Sequence, residues 1–243
     1  MVLLVTTKSA TNKAEVQTMF DGFARRYDFF NHISSLYIDR RWRNIAANEL
    51  KGLSLSKTLD VATGTADMAL TIRKRLKPQC VIGVDISEEM LAIGRKKVEK
   101  KKQEKFISLQ CSDSEALPFN GHTFDAVTVA FGVRNFENLE KGLKEMYRVL
   151  KNKGKIVILE LSIPKNRIFR KIFNFYFFRV MPLIGRLLAK GAKNDACEYL
   201  PNSVQKFHQG TKFNIKMENC GFENVKVKPL TFGIVTIYTG VKS

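Results

Sequence analysis

The chain has little with which to crosslink itself. Its four cysteines, Cys80, Cys111, Cys197 and Cys220, lie far apart in 243 residues and form no C-x-x-C pair. That spacing excludes a disulfide scaffold and suits reduced thiols in a cytoplasmic protein. Histidine is scarcer still: His32, His122 and His208 stand alone, so there is no local seed for a metal site and none is expected. Long apolar runs are missing too. The most apolar region, 168–189, is interrupted by Arg170, Lys171, Arg179 and Arg186, whereas a membrane span takes about 20 mostly apolar residues. "MVLLVTTKSA" at the start has only a four-residue apolar run, short of the ~7–15 residues of a secretory h-region. Acid is under-represented: 41 Lys and Arg against 23 Asp and Glu leave a net charge of +18. Such an excess points to an anionic partner, nucleic acid or membrane surface, and is silent about fold.

Glycine is also missing where it would be most diagnostic. "TLDVATGTADMAL" (58–70) looks like the first strand-to-helix turn of a nucleotide-binding fold. It has Gly64 alone where a dinucleotide site carries G-x-G-x-x-G. Aligning Gly64 with the middle glycine puts Ala62 and Asp67 at the outer two positions. A carboxylate there would repel a pyrophosphate, and one glycine permits little close backbone approach. S-adenosylmethionine has no phosphate; its sulfonium and ammonium favour nearby acids such as Asp60 and Asp67.

What is present organises the rest. "KTLDVA" (57–62), "CVIGVDI" (80–86), "KFISLQC" (105–111), "FDAVTVA" (124–130) and "KIVILEL" (155–161) read as strands. Helices are expected between them at 67–77, 87–103 and 138–151, the second N-capped by Ser87. This alternation predicts an α/β, Rossmann-like parallel sheet with helices on both faces. "FENVKVKPLT" and "GIVTIYTGVK" (222–231 and 233–242) follow each other too closely for a helical crossover and must pair antiparallel.

In such a sheet the ligand lies beyond the carboxyl ends of the strands. Asp60 closes the first strand and Asp85 the second, where an acid can accept hydrogen bonds from both hydroxyls of a ribose. Asp113, with the Ser114 backbone beside it, follows the third strand within reach of an adenine amino group.

These motifs resemble the ubiquinone/menaquinone biosynthesis C-methyltransferase family over about 16–242. "YDFFNHISSLYIDRRW" (27–42) resembles its N-terminal signature and "LDVATGTAD" its cofactor turn. "SEALPF" and "FGVRNF" are similar to its middle motifs. "RVLKNKGKIVILELS" resembles its second signature, and "TFGIVTIYTGVK" its C-terminal hairpin. The resemblance implies a class I S-adenosylmethionine-dependent methyltransferase with seven strands and an antiparallel end. Carried over by position, the cofactor contacts fall on Thr65, Asp85, Asp113, Ser114 and Ala130. Four departures stand out: Ala66 replaces a frequent Gly, Asp113-Ser114 a frequent Asn-Ala, Ala130 a frequent Ser, and Asn152-Lys153-Gly154 the usual Pro-Gly-Gly. Two regions are implied, a helical substrate cap at 1–50 and a methyltransferase domain at 51–243 with a helical insertion about 166–200.

The implied reaction methylates a ring carbon of a polyprenyl quinol. Family branches act on demethylmenaquinol, on the ubiquinone precursor, or on both; the tail and the "VATGTAD" form favour demethylmenaquinol. Carbon attacks only from an electron-rich ring, so the site needs a phenolate stabiliser and a proton acceptor. Arg134 with Asn135, after the fourth strand, is the candidate stabiliser; Tyr27, Asp28 and His32 are candidates for proton removal. The aromatic and basic segment 166–193 would cover the quinol and lie against anionic lipid. The expectation is a cytoplasmic protein held peripherally at the inner face of the cell membrane, with a homo-oligomer allowed. A rival reading, an RNA methyltransferase, suits the charge but lacks a proline-cysteine nucleophile or an N-P-P-Y motif.

Overall fold

The structure, a computed structural model, describes residues 12–181 and 195–243. The chain begins with α1 (Lys13–Ser34), capped by the Asn12 side chain, which accepts from the Ala14 N–H at 3.0 Å. Leu36 and Tyr37 take left-handed conformations (φ 50° and 61°) to turn the chain into α2 (Ile38–Asn48). The alternating region then runs β1 (Lys57–Val61), α3 (Asp67–Leu76), β2 (Cys80–Asp85), α4 (Glu88–Lys100), β3 (Ile107–Cys111) and β4 (Phe124–Ala130). Ser87 caps α4 as expected, its Oγ accepting from the Met90 N–H. After α5 (Leu139–Val149) come β5 (Leu150–Leu161) and α6 (Arg167–Phe175), which widens into a π turn over Tyr176–Val180. The chain closes with α7 (Asp195–Lys206), α8 (Thr211–Asn219), β6 (Glu223–Leu230) and β7 (Val235–Val241). No helix among the described residues is long and apolar enough to cross a membrane.

The seven strands form one sheet in the order β3-β2-β1-β4-β5-β7-β6. β1 to β5 pair parallel; β7 runs antiparallel to both β5 and β6, as the short link between the last two strands demands. Side chains alternate between two cores. Val127, Val129, Ile156 and Ile158 face α5 and α8, whereas Ala126, Val157 and Leu159 face α2 and α3. Trp42, Ala46, Ala47 and Leu50 sit in that second core, so α2 is built into the main body and no core boundary falls at residue 50.

The junction of α5 and β5 differs from the periodicity. Helical spacing suggested 138–151, yet α5 stops at Val149 because Leu150 already pairs with Phe124 as strand. The pairing then slips to Ala126 with Lys155, and Asn152-Lys153-Gly154 forms the bulge. Lys153 is left-handed (φ 63°), and its N–H donates to the Lys242 carbonyl at 2.6 Å. A Cβ on Gly154 would lie 2.7 Å from the Lys151 carbonyl oxygen, so only glycine fits there. A left-handed non-glycine residue at Lys153 costs roughly 1–2 kcal/mol, which the usual Gly would avoid.

Candidate active site

Strand order reverses between β1 and β4, and the cofactor turn lies at that switch point. Gly64 adopts φ 54° and donates its N–H to Asp85 Oδ2 at 2.8 Å. Asp85 Oδ1 accepts from the Ser87 N–H at 3.0 Å, which fixes the carboxylate at the end of β2. Burial pushes the Asp85 carboxyl up, and the Ser87 and Gly64 N–H groups pull it back only in part. Ala66 takes the left-handed conformation (φ 65°) that leads into α3.

A cleft enclosing about 670 Å³, with the open solvent at its mouth included, lies above this turn. Gly64, Asp85, Asp113, Ser114 and Ala130 line it, together with Asn135 and Tyr27. Asp60 and Thr65 do not. Asp60 is wholly buried beneath the turn, its carboxylate accepting from the Thr63 and Thr128 hydroxyls at 2.6 and 2.7 Å. It shapes the turn from below, and burial raises its pKa to about 6. The Thr65 hydroxyl donates to Asp28 and receives Lys97 Nζ, while Asp67 is paired with Lys97 as well. Helix α1 roofs the cavity: Lys13 reaches Asp113 at 2.6 Å and Glu115 at 3.3 Å, and Val16 and Phe20 complete the lid.

A second, larger cleft, enclosing about 1460 Å³ with the open solvent at its mouth included, lies on the other side of α1. Its walls are overwhelmingly apolar, with Phe23, Phe30, Trp42, Phe173 and Phe177 among them. Phe20, Tyr27 and Phe131 line both cavities, so the two meet there. Burial raises the Tyr27 hydroxyl, against the pull of Arg134 and Arg43, so it stays a neutral phenol.

Arg134 lines the apolar cavity, but its charge is shared. Nη1 donates to the wholly buried Glu160 at 2.6 Å and to the Phe131 carbonyl at 2.5 Å; Nε donates to Ser203 at 3.3 Å. Nη2 has no hydrogen-bond partner among the described residues. Asn135 accepts from the Tyr199 hydroxyl at 3.0 Å. Asp28 and His32 fall outside both linings, in a polar network behind the wall. There His32 Nδ1 meets Asp39 at 2.8 Å, Arg43 pairs with Asp39, and Lys97 pairs with Asp28 and Asp67. His32, Asp39 and Asp67 bring ligand atoms within 4.8 Å of one another, yet Arg43 and Lys97 already supply the positive charge these acids need. Burial alone would raise the Asp39 carboxyl; Arg43, Ser35 and His32 outweigh it and hold it low.

Sequence reasoning missed Glu160, Tyr199 and Lys13. Glu160 sits in the quoted "VILEL", where a lone acid in an apolar strand was the available signal. Nothing local marks Tyr199 or Lys13, because their partners lie 64 and 100 residues away.

The fold is that of a class I S-adenosylmethionine-dependent methyltransferase. A Thermotoga maritima structure described as an S-adenosylmethionine-dependent methyltransferase, possible histamine N-methyltransferase, superposes with a TM-score of 0.63 at 18% identity over 93% of this chain and 99% of that one. The demethylmenaquinone methyltransferase of Bacteroides fragilis is 46% identical over 228 residues, covering 94% of this chain and 92% of that protein. The ubiquinone/menaquinone biosynthesis C-methyltransferase UbiE of Geobacter sulfurreducens is 44% identical, covering 98% and 93%. The ubiE/COQ5 methyltransferase family matches residues 7–242, and the chain belongs to it. The cofactor fits the charge of its cavity: Asp85, Asp113, Glu115 and Glu137 line it against the single ammonium of Lys13. That balance suits a sulfonium amino acid and opposes a pyrophosphate.

Proposed function

We propose that the protein methylates a ring carbon of demethylmenaquinol, in menaquinone biosynthesis. The observation that carries this reading is the meeting of a polar donor cavity with a large apolar one at Phe20, Tyr27 and Phe131. An apolar space of that size suits a polyprenyl aromatic ring, and neither a nucleotide nor a tRNA base would need it. The name of the Bacteroides fragilis relative supports the menaquinone precursor. The Geobacter sulfurreducens name keeps the ubiquinone precursor, 2-polyprenyl-6-methoxy-1,4-benzoquinol, as a second acceptor to be tested.

S-adenosylmethionine supplies an electrophilic methyl group on its sulfonium. In the proposed site Asp85 accepts from the ribose hydroxyls, Asp113 and the Ser114 backbone meet the adenine edge, and Gly64 and Ala130 allow backbone contact with the amino-acid end. Ile86, Met90 and Phe136 are apolar lining residues suited to the adenine faces. As the ring hydroxyl gives up its proton to solvent at the cavity mouth, Arg134 stabilises the oxygen through Nη2, since Nη1 is committed to Glu160. Tyr27 donates a hydrogen bond to the same oxygen, because burial keeps its phenol protonated at neutral pH. Asn135, held by Tyr199, borders the donor. Asp28 and His32 are assigned a positioning role, acting through Thr65 and Asp39. Helix α1 serves as the substrate cap and divides donor from acceptor, whereas α2 belongs to the main body. The basic, aromatic face of 166–181 is proposed to rest on anionic membrane from which the acceptor comes; the remainder of that basic stretch, 182–193, lies outside the described residues.

The test is methyl transfer from labelled donor to short-prenyl demethylmenaquinol, to the ubiquinone precursor and to tRNA, with Arg134→Lys alongside. Arg134→Ala is a poor choice, because orphaning buried Glu160 costs about 3–5 kcal/mol. Arg134→Lys keeps that charge balanced while losing the planar fork. Donor binding should survive and quinol methylation should fall about 10²-fold. Full turnover in the variant would remove Arg134 from the mechanism; methylation of tRNA alone would remove the quinol.

A further inference from the structure

Two stretches of exposed apolar surface border the mouth of the large cavity from opposite sides. One is the α1–α2 corner, where Leu36 is 75% exposed and Tyr37 and Ile38 stand out beside it. The other is the outward face of α6 and its π turn, with Ile168 67% and Phe175 65% exposed, flanked by Ile172 and Phe178. Leu36 and Ile38 line the cavity on the first side, Phe169 and Ile172 on the second. The two are braced together, since the Tyr176 hydroxyl donates to the Ser34 carbonyl at 2.6 Å. The corner is also preformed: Tyr37 stacks on His32 with ring centroids 5.4 Å apart, Arg40 lies 5.0 Å from its ring, and its N–H donates to the His32 carbonyl.

The charge around these rims is of one sign. Lys165, Arg167, Arg170, Lys171 and Arg179 are exposed on the second side, and residues 162–181 contain no acid. Arg40 and Arg41 are exposed on the first, where Asp39 is buried against Arg43. Exposed aliphatic and aromatic side chains ringed by unopposed cations match an anionic bilayer, in which apolar groups enter the acyl boundary and guanidinium groups stay with the phosphates. A protein partner would be expected to meet a more mixed rim.

We propose that the α1–α2 corner and the outer face of α6 enter an anionic bilayer together, and that the gap between them is the portal through which the acceptor's tail remains in the lipid. This rests on the polyprenyl quinol reading above and adds a second membrane element, the 36–38 corner, to the basic segment. The acceptor then needs no passage through water. Its ring moves laterally from the bilayer into the cavity while the tail stays outside, so the cavity has to hold little more than the head.

Trp42 is the chain's only tryptophan, which makes insertion readable. Tyr37→Trp and Phe175→Trp, each at a position outside both cavity linings, are mixed with vesicles of equal parts phosphatidylglycerol and brominated phosphatidylcholine. Both added tryptophans should be strongly quenched, and binding should be at least roughly tenfold weaker to pure phosphatidylcholine. The double variant Ile168→Gln with Phe175→Gln provides a second measurement and should lower vesicle affinity by a similar factor. Quenching at Phe175→Trp alone overturns the two-sided portal, and quenching at neither assigns the face to a different partner. Methylation of a short-tailed quinol without vesicles is measured in parallel. Normal turnover with unquenched tryptophans sinks the portal only, whereas no turnover in the unsubstituted protein sinks the quinol reading itself.

Discussion

Asp60 is a carboxylate buried without a cation bonded to it, held by two threonine hydroxyls. Its pKa of about 6 lies above the ordinary 3.8, so the protonated form is favoured by folding. The stability this adds is complete below about pH 4 and is lost as the pH climbs through about 6. Above that window the buried charge costs on the order of 3 kcal/mol, from two units at 1.36 kcal/mol each. Asp60→Asn removes the charge and can still bond both hydroxyls, accepting from one and donating to the other. Urea unfolding should find the variant gaining on the parent between about pH 4.5 and about pH 8. An identical difference at both pH values would mean that Asp60 is ionised throughout. Among the residues expected to touch the cofactor, Asp60 and Thr65 were legible as polar groups near the turn, but which face of the turn they serve was not. Alternation along a strand end cannot tell a group above the sheet edge from one beneath it.

At the scale of elements, α1 carries the greatest functional weight. It contributes Lys13, Val16 and Phe20 to the donor cavity and Met19, Phe23 and Phe30 to the acceptor cavity. It is tied down by Lys13 to Asp113, by Asp21 to Ser87, and by Asp28 to Thr65 and Lys97. Exchange of the donor is expected to depend on how firmly α1 is held, and the Lys13 pair is the tie nearest the start of the helix. Lys13 holds the Asp113 carboxyl below its usual value, with the Glu115 N–H assisting and burial opposing. The pair is one-third exposed, so it is worth about 0.2–1 kcal/mol. Stopped-flow measurement should find that Lys13→Met releases bound S-adenosylhomocysteine about 2–5-fold faster. Unchanged release would mean that α1 does not gate the cavity. The signature "YDFFNHISSLYIDRRW" pointed at this region, but its helical register, which sends Tyr27 into the site and His32 behind it, came only from packing, chiefly against α4.

Over the whole molecule, the charge of +18 acquires a direction, because the exposed cations at the cavity mouth have no exposed acids within their segments. Binding to anionic vesicles should then weaken steeply as salt rises and the screening length drops below about 10 Å near 0.1 M. Salt-independent binding would assign the attraction to apolar contact alone. The positions of the strands, the antiparallel end and the cofactor turn followed from the sequence by itself, since hydrophobic period, glycine placement and link length are local quantities, whereas the order of the strands came from the structure. The sulfonium donor expected from the sequence agrees with the family, but the charges flanking Gly64 do not carry it: Asp60 is buried beneath the turn and Asp67 is paired with Lys97, while Asp85, Asp113, Glu115 and Glu137 are the acids that line the cavity. Tertiary structure decided what lies across the sheet: Glu160 holding Arg134, Tyr199 holding Asn135, and one helix walling two cavities. Those pairings join residues dozens of positions apart, and no periodicity or spacing encodes which distant side chain will fill a given gap once the layers close.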